Sequence, residues 1–170
     1  MDGVVIKLVI TDCDGVLTDN GVYYDASGEV LKRFSIRDGM GVERLRVHEV
    51  ETAIISGEAS PSLRARAAKL KISEQHLGVR DKVAVLDDLC ARKGLDPSQV
   101  AYIGDDVNDV PIMRRVGLSG CPGDATDFAR DAADVVCVAR GGHGAFREFA
   151  EAVLAHNGTT TNHYEEDHTP

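Results

Sequence analysis

Leu8-Val9-Ile10-Thr11-Asp12-Cys13-Asp14-Gly15-Val16 is an apolar, β-branched run that stops abruptly at two carboxylates one residue apart. The run predicts a strand, and its end places the acidic pair at the strand tip. Side chains alternate faces along a strand, but a chain leaving at Gly15 can curl so that the Asp12 side chain and the Asp14 backbone converge on one point. Convergent oxygens attract a hard cation, and octahedral Mg²⁺ is held by carboxylates together with waters and phosphate oxygens. The same run could therefore hold a metal and offer a nucleophile beside it. Taken alone, it reads equally as a strand that ends in an Asp-rich turn.

Composition limits the partners. The chain has 170 residues, enough for one domain with a substantial core, and 43% of them are hydrophobic. Its formal net charge is −9, with 28 acidic against 19 basic residues, which argues against attraction to nucleic acid or an anionic membrane. A metal and a small substrate suit it better. Cys13, Cys90, Cys121 and Cys137 are widely spaced without a C-x-x-C pair, so reduced, buried thiols are expected rather than a secreted disulfide framework. The apolar stretch from Val4 to Ile10 is too short to span a bilayer, and Asp12 and Asp14 follow where a signal peptide would continue. A cytoplasmic protein is expected.

Along the chain, β-rich apolar runs alternate with segments of helical period. This predicts an α/β fold with a doubly wound, mostly parallel sheet and helices on both faces. Core strands are expected at Lys7 to Thr11, Thr52 to Ile55, Val100 to Ile103 and Val135 to Val138. Ser60 can cap a helix with Pro61 in its first turn and Leu63, Ala67 and Leu70 along one face. Asp81 opens a helix ending near Gly94; others are expected from about Asn108 to Val116, near Asp124 to Ala132, and from Ala145 to Ala155. Residues 21–34 break the alternation and read as a β-hairpin turning at Asp25-Ala26-Ser27-Gly28. It carries Val22, Tyr24, Val30 and Phe34 without a sheet of its own, and an isolated ribbon is marginal in water, so a neighbouring subunit is expected to cover it. The single domain is expected to span residues 1–156, with residues 157–170 a disordered polar tail.

Three further segments carry chemistry. Ala53-Ile54-Ile55-Ser56-Gly57-Glu58 is a strand ending in a hydroxyl and a glycine: Ser56 can donate to a phosphate oxygen and Gly57 lets backbone N–H groups approach it. The same dipeptide is also an ordinary turn. Arg80-Asp81-Lys82 puts an ammonium into the first turn of a helix, against the macrodipole, unless an anion such as phosphate lies nearby or Lys82 is simply solvated. In Val100-Ala101-Tyr102-Ile103-Gly104-Asp105-Asp106-Val107-Asn108-Asp109 a strand runs through glycine into three carboxylates, which repel one another unless a cation neutralises them; Asp106 or Asn108 can also cap the following helix. In open α/β sheets ligands bind at the carboxyl ends of strands, so these groups would meet in one crevice.

The order D-x-D-G-V, S-G, K, G-D-D-x-x-D resembles the four motifs of the haloacid dehalogenase superfamily of phosphotransferases, over roughly residues 5–156. Asp12 to Asp19, Ile36-Arg37-Asp38-Gly39-Met40-Gly41, Gly104-Asp105-Asp106 with Asp109-Val110-Pro111-Ile112-Met113, and Gly141-Gly142-His143-Gly144-Ala145-Phe146-Arg147-Glu148 are similar to its capless group of 3-deoxy-D-manno-octulosonate 8-phosphate and 2-keto-3-deoxynononate 9-phosphate phosphatases. The resemblance implies a Rossmann-like core without a cap domain and a homotetramer assembled through the hairpin. It also implies hydrolysis of a phosphorylated eight- or nine-carbon sugar acid. Asp12 would then be the nucleophile and Asp14 the general acid and base. Mg²⁺ would be held by Asp12, the Asp14 carbonyl and Asp105; Ser56, Gly57 and Lys82 would bind the phosphoryl oxygens; and Asp106 and Asp109 would orient metal waters and Lys82.

Octulosonate phosphatases usually carry arginine after the motif glycine, whereas this chain has Glu58, which resembles the nonulosonate branch, with Lys69 at the place of that branch's lysine. Glu58, Lys69 and Arg64 are thus candidate substrate contacts, as is His143, which stands where arginine is more usual; a helix N-terminus and a solvated face would equally explain Glu58 and Lys69. Three alternatives stay open, two of them from other classes. A receiver-type signalling module also carries an aspartyl phosphate and a lysine, but its phosphorylated carboxylate ends a middle strand and its lysine comes last. The others are a catalytically idle relative that binds Mg²⁺ and phosphate, and a phosphatase of another small metabolite.

Overall fold

The computed structural model describes residues 3–159, and the opening run forms its central strand, β1 (Leu8–Thr11). The remaining strands are β2 (Val22–Asp25), β3 (Gly28–Lys32), β4 (Glu51–Ser56), β5 (Glu74–Leu77), β6 (Val100–Ile103), β7 (Leu118–Cys121) and β8 (Val135–Val136). Six of them make one parallel sheet in the order β5-β4-β1-β6-β7-β8, while β2 and β3 pair antiparallel as a separate hairpin. The expected architecture is therefore present: a mostly parallel sheet, a detached hairpin and, among the described residues, no cap domain.

β1 lacks apolar/polar alternation because both its faces are covered, as a central parallel strand requires. Val9 packs with Val42, Leu45, Phe146, Phe149 and Val153 on one side, Leu8 and Ile10 with Leu86, Leu89, Ile112 and Met113 on the other. The first layer holds α1 (Ile36–Val47), α2 (Pro61–Lys69) and α6 (Ala145–His156); the second holds α3 (Lys82–Lys93), α4 (Val110–Met113) and α5 (Asp127–Ala132). Register sets up the site. Thr11 lies opposite both Ile54 and Ile103, so one residue on, Asp12 stands beside Ile55 and Gly104, just short of Ser56 and Asp105.

Local chemistry fixes the helices as the sequence indicates. The Ser60 hydroxyl accepts from the Leu63 amide ahead of Pro61, and Asp81 accepts from the Ala84 amide at the start of α3, which ends on Gly94 in a left-handed conformation. Elsewhere the structure departs from expectation. The segment expected as one helix from Asn108 to Val116 is a 3₁₀ turn (Val107–Asp109) followed by the short α4, because Asp106 caps the turn and Pro111 restarts the helix. α5 begins at Asp127 rather than Asp124, and β8 ends at Val136.

The hairpin ends at Lys32, and its apolar residues divide. Val22, Tyr24 and Val30 are exposed, as are Tyr23 and Leu31, while Phe34 packs on the core beneath the Arg66 guanidinium. The polar tail was expected from residue 157, yet Asn157 exchanges two hydrogen bonds with the backbone of Ile6, both 2.8 Å; residues 160–170 lie outside the described residues. Among the described residues no helix is long and apolar enough to cross a membrane.

Candidate active site

Four chain segments converge at the carboxyl end of β1, β4 and β6. Asp12, Asp14, Asn20, Ser56, Gly57, Glu58, Asp105, Asp106 and Asn108 line one open cavity of about 380 Å³, and Lys82 and Asp109 stand buried behind it. The turn that brings the first two acids there depends on Gly15, whose φ of +82° suits glycine; a Cβ at that position would also fall 1.9 Å from Asp105 Oδ2. Gly104 makes similar room, since a Cβ there would lie 2.3 Å from the Asp109 carboxyl carbon.

Lys82 is the electrostatic centre. Its Nζ donates to Asp109 Oδ1 at 2.6 Å and to the Tyr102 hydroxyl at 3.1 Å, and pairs with Asp12 Oδ2 at 3.1 Å. All three ammonium donors are thus engaged by the protein. The anions that offset its place in the first turn of α3 are these two carboxylates, where the sequence suggested phosphate. Burial alone would lower the Lys82 pKa, but Asp12 and Asp109 outweigh it and hold the ammonium above its ordinary value.

Ligand atoms of Asp12, Asp105 and Asp109 lie within 4.8 Å of one another, close enough for one cation. Hydrogen bonding separates their roles. Asp109 is saturated: Oδ1 accepts from Lys82 and Tyr102, and Oδ2 from the amides of Asp105 at 2.9 Å and Asp106 at 3.2 Å. Asp12 and Asp105 are less engaged. Asp12 Oδ1 takes the Cys13 amide at 2.7 Å, and Asp105 Oδ2 takes Asn20 Nδ2 at 3.1 Å. Burial, with repulsion from Asp109, pushes the Asp12 carboxyl up to about 7 against the pull of Lys82. Burial chiefly raises Asp105 to about 6; Asn20 opposes this while Asp109 and Asp106 add to it. Two hard-oxygen donors that resist ionisation side by side are what a divalent cation would neutralise, so the donor set fits Mg²⁺.

The other sequence candidates fall at graded distances from this centre. Ser56 is buried at the tip of β4, its hydroxyl accepting from the Glu58 amide at 3.3 Å, and Gly57 and Glu58 line the cavity. Asp106 lines the cavity too, but its Oδ1 is occupied by the Val107 amide at 2.7 Å and the Thr126 hydroxyl at 3.2 Å, so it caps the 3₁₀ turn. Arg64 and Lys69 are exposed on α2 and do not line the cavity. His143 lines a second cavity with Arg33, Phe34 and Arg37. Within one chain, then, these three stand outside the acidic cavity.

Sequence reasoning missed four residues of the site. Asn20 holds Asp105, Asn108 lines the cavity, Tyr102 holds both Lys82 and Asp109, and Lys32 reaches Asp14 from the hairpin. Tyr102 gave no signal, being an aromatic in an apolar strand, whereas Asn20 at φ +66° occupies a turn position that could have drawn attention.

The comparisons agree with this geometry. A family model described as haloacid dehalogenase-like hydrolase matches residues 65–147. The chain is 42% identical over 156 residues to the 3-deoxy-D-manno-octulosonate 8-phosphate phosphatase of Haemophilus influenzae, covering 92% of this chain and 87% of that one. The corresponding phosphatase of Escherichia coli K12 is 39% identical over 153 residues, covering 90% of this chain and 81% of that one. Among solved structures, the cobalt-bound Haemophilus influenzae phosphatase is similar with a TM-score of 0.86 at 43% identity, covering 90% of each chain. The Moraxella catarrhalis phosphatase in complex with magnesium ion, phosphate ion and a KDO molecule gives 0.85 at 34%, covering 90% of this chain and 88% of that one. The chain belongs to the haloacid dehalogenase-like hydrolases, within the family of these octulosonate 8-phosphate phosphatases. Its activity is that of a phosphoric monoester hydrolase.

Proposed function

We propose that the chain hydrolyses the phosphate monoester of an eight- or nine-carbon 2-keto-3-deoxy sugar acid, with Mg²⁺ as cofactor and Asp12 as nucleophile. The observation that carries this reading is the meeting of Asp12 and Asp105 at neighbouring strand tips, on one cavity shared with Ser56 and Asp14, with Lys82 from the start of α3 paired to Asp12 behind it. Mg²⁺ would be held by the side chains of Asp12 and Asp105 and the main-chain carbonyl of Asp14, where it would neutralise charge on the transferring phosphoryl group. Asp109, already saturated by four donors, keeps Lys82 in place instead.

An Asp12 carboxylate oxygen attacks phosphorus, and the bond from phosphorus to the sugar oxygen breaks as Asp14 gives that oxygen a proton. Water then attacks the phosphorus of the aspartyl phosphate while Asp14 takes its proton, releasing inorganic phosphate and regenerating Asp12. Lys82 and Ser56 hold the phosphoryl oxygens, which requires Lys82 to turn one donor away from its protein partners. The relatives' octulosonate 8-phosphate activity supports the sugar-acid class, and Glu58 on the cavity wall is the residue expected to read substrate hydroxyls. We place the enzyme in the cytoplasm as an assembly of several copies joined through the hairpin, whose exposed Val22, Tyr23, Tyr24, Val30 and Leu31 favour burial.

The test is kcat/KM on eight- and nine-carbon keto-acid phosphates beside hexose phosphates, each with Mg²⁺. The reading expects the keto acids to be preferred. A preference for hexose phosphates would remove the sugar-acid assignment and leave the phosphatase standing.

A further inference from the structure

The hairpin reaches the active site with a buried lysine. Lys32, at the end of β3, has a side chain only 3% exposed, and its Nζ donates to Asp14 Oδ1 at 2.7 Å and lies 3.6 Å from Glu29 Oε2. The contacts continue. Glu29 Oε1 accepts from the Ser60 hydroxyl at 2.6 Å, and the same hydroxyl accepts from the Leu63 amide at 3.2 Å as the cap of α2. One polar chain thus runs from Asp14 to Lys32 at the root of the hairpin, along β3 to Glu29 beside its turn, and on to the helix that follows Ser56-Gly57-Glu58. An ammonium is costly to bury unless carboxylates face it, and both of those facing Lys32 serve this chain of contacts.

We infer that Lys32 is a positioning residue: through Glu29 and Ser60 it fixes the Asp14 carboxylate at the cavity mouth, holding Oδ1 and leaving Oδ2 for the reacting group. Asp14 lines the cavity with a side chain 29% exposed, so without Lys32 its carboxylate is free to swing into solvent. A displacement of about 1 Å at a reacting group can slow a reaction on the order of a hundredfold. The inference rests on the proposed role of Asp14 in protonating the leaving oxygen.

Two substrates separate positioning from mere support of the hairpin. A sugar phosphate expels a poor leaving group that needs the Asp14 proton; p-nitrophenyl phosphate expels a stable phenolate that does not. For Lys32→Met, kcat on the sugar phosphate should fall roughly tenfold or more with KM little changed. The first-turnover release of p-nitrophenolate should stay near the wild-type rate, and Lys32→Arg should recover part of the lost kcat. Glu29→Gln, on the far side of the lysine, should give the same selective loss more weakly, and serves if circular dichroism finds Lys32→Met unfolded. Equal losses on both substrates, or no loss on the sugar phosphate, would overturn the inference. A wild-type protein inactive on every phosphomonoester would instead overturn the function proposed for the site.

Discussion

Asp12 and Asp105 sit where their ionised forms are disfavoured, at about 7 and about 6, because burial removes water and Asp109 adds repulsion. Each folded-state value lies above the unfolded carboxylate's. Their contribution to stability is therefore complete below about pH 4 and is lost as pH rises through about 6 and then about 7 in metal-free protein. A cation reverses the balance by favouring the ionised pair. Melting curves with Mg²⁺ and with chelator should show a larger Mg²⁺-induced rise in Tm at pH 8 than at pH 5. The same rise at both pH values, or none at pH 8, would count against a metal held by these two carboxylates.

At the scale of elements, α6 is the helix expected from Ala145, whereas α1 and the seam it forms with α6 illustrate what sequence reading could not reach. α1 keeps Val42 and Leu45 in the core but breaks the usual pattern elsewhere: Ile36 is 83% exposed, whereas Asp38 and Arg44 are buried. The reason lies across the interface. Asp38 Oδ1 accepts from the Arg147 amide at 3.0 Å, supplying in trans a cap for α6, whose own N-cap is Gly144, and Arg44 pairs with Glu151 at 3.1 Å. Burial raises the Asp38 carboxyl even as those amides oppose it. Asp38→Ala should cost about 1–2 kcal/mol in urea unfolding, with kcat unchanged; an unaltered midpoint would show that α6 needs no such cap.

The same limit explains the missed strands. β5, Glu74-Gln75-His76-Leu77, is polar because it is an edge strand whose carboxylate is bound outward: hydrogen bonds from Arg92, then His76 and nearby Lys93, hold Glu74 down at about 2 despite partial burial. β7 reads Leu118-Ser119-Gly120-Cys121, small and mixed, and lies between two strands that supply its pairing. By contrast, β1, β4 and β6 were legible, because buried parallel strands are continuous apolar runs and each ends in polar groups that a core would not tolerate. The acids of the site were readable for that reason. Lys32 and Tyr102 were not, because their roles arise only when separate segments meet.

For the whole molecule, the proposed function asks a chain of net charge −9 to take an anionic substrate at an acidic cavity, and on that reading Lys82 and a cation would be the counterweights. The hairpin poses a second question of balance, since it exposes five large apolar side chains while its root is ion-paired to the site. Copies joined there would cover what one copy leaves in water. Sedimentation velocity should find an oligomer for the native chain and a smaller species for Tyr24→Lys with Val30→Lys. A native monomer, or an unchanged oligomer in the double variant, would place assembly elsewhere.

The central claim is that Asp12 becomes covalently phosphorylated during turnover. Acid quenching of enzyme mixed with Mg²⁺ and substrate, followed by peptide mass spectrometry, tests it most directly. The account predicts a phosphoryl group on the peptide that carries Asp12, and its absence from Asp12→Asn together with a fall in kcat on the order of 10⁴-fold or more. Sustained hydrolysis by Asp12→Asn, or turnover that leaves that peptide unmodified while another carries the phosphoryl group, would contradict it.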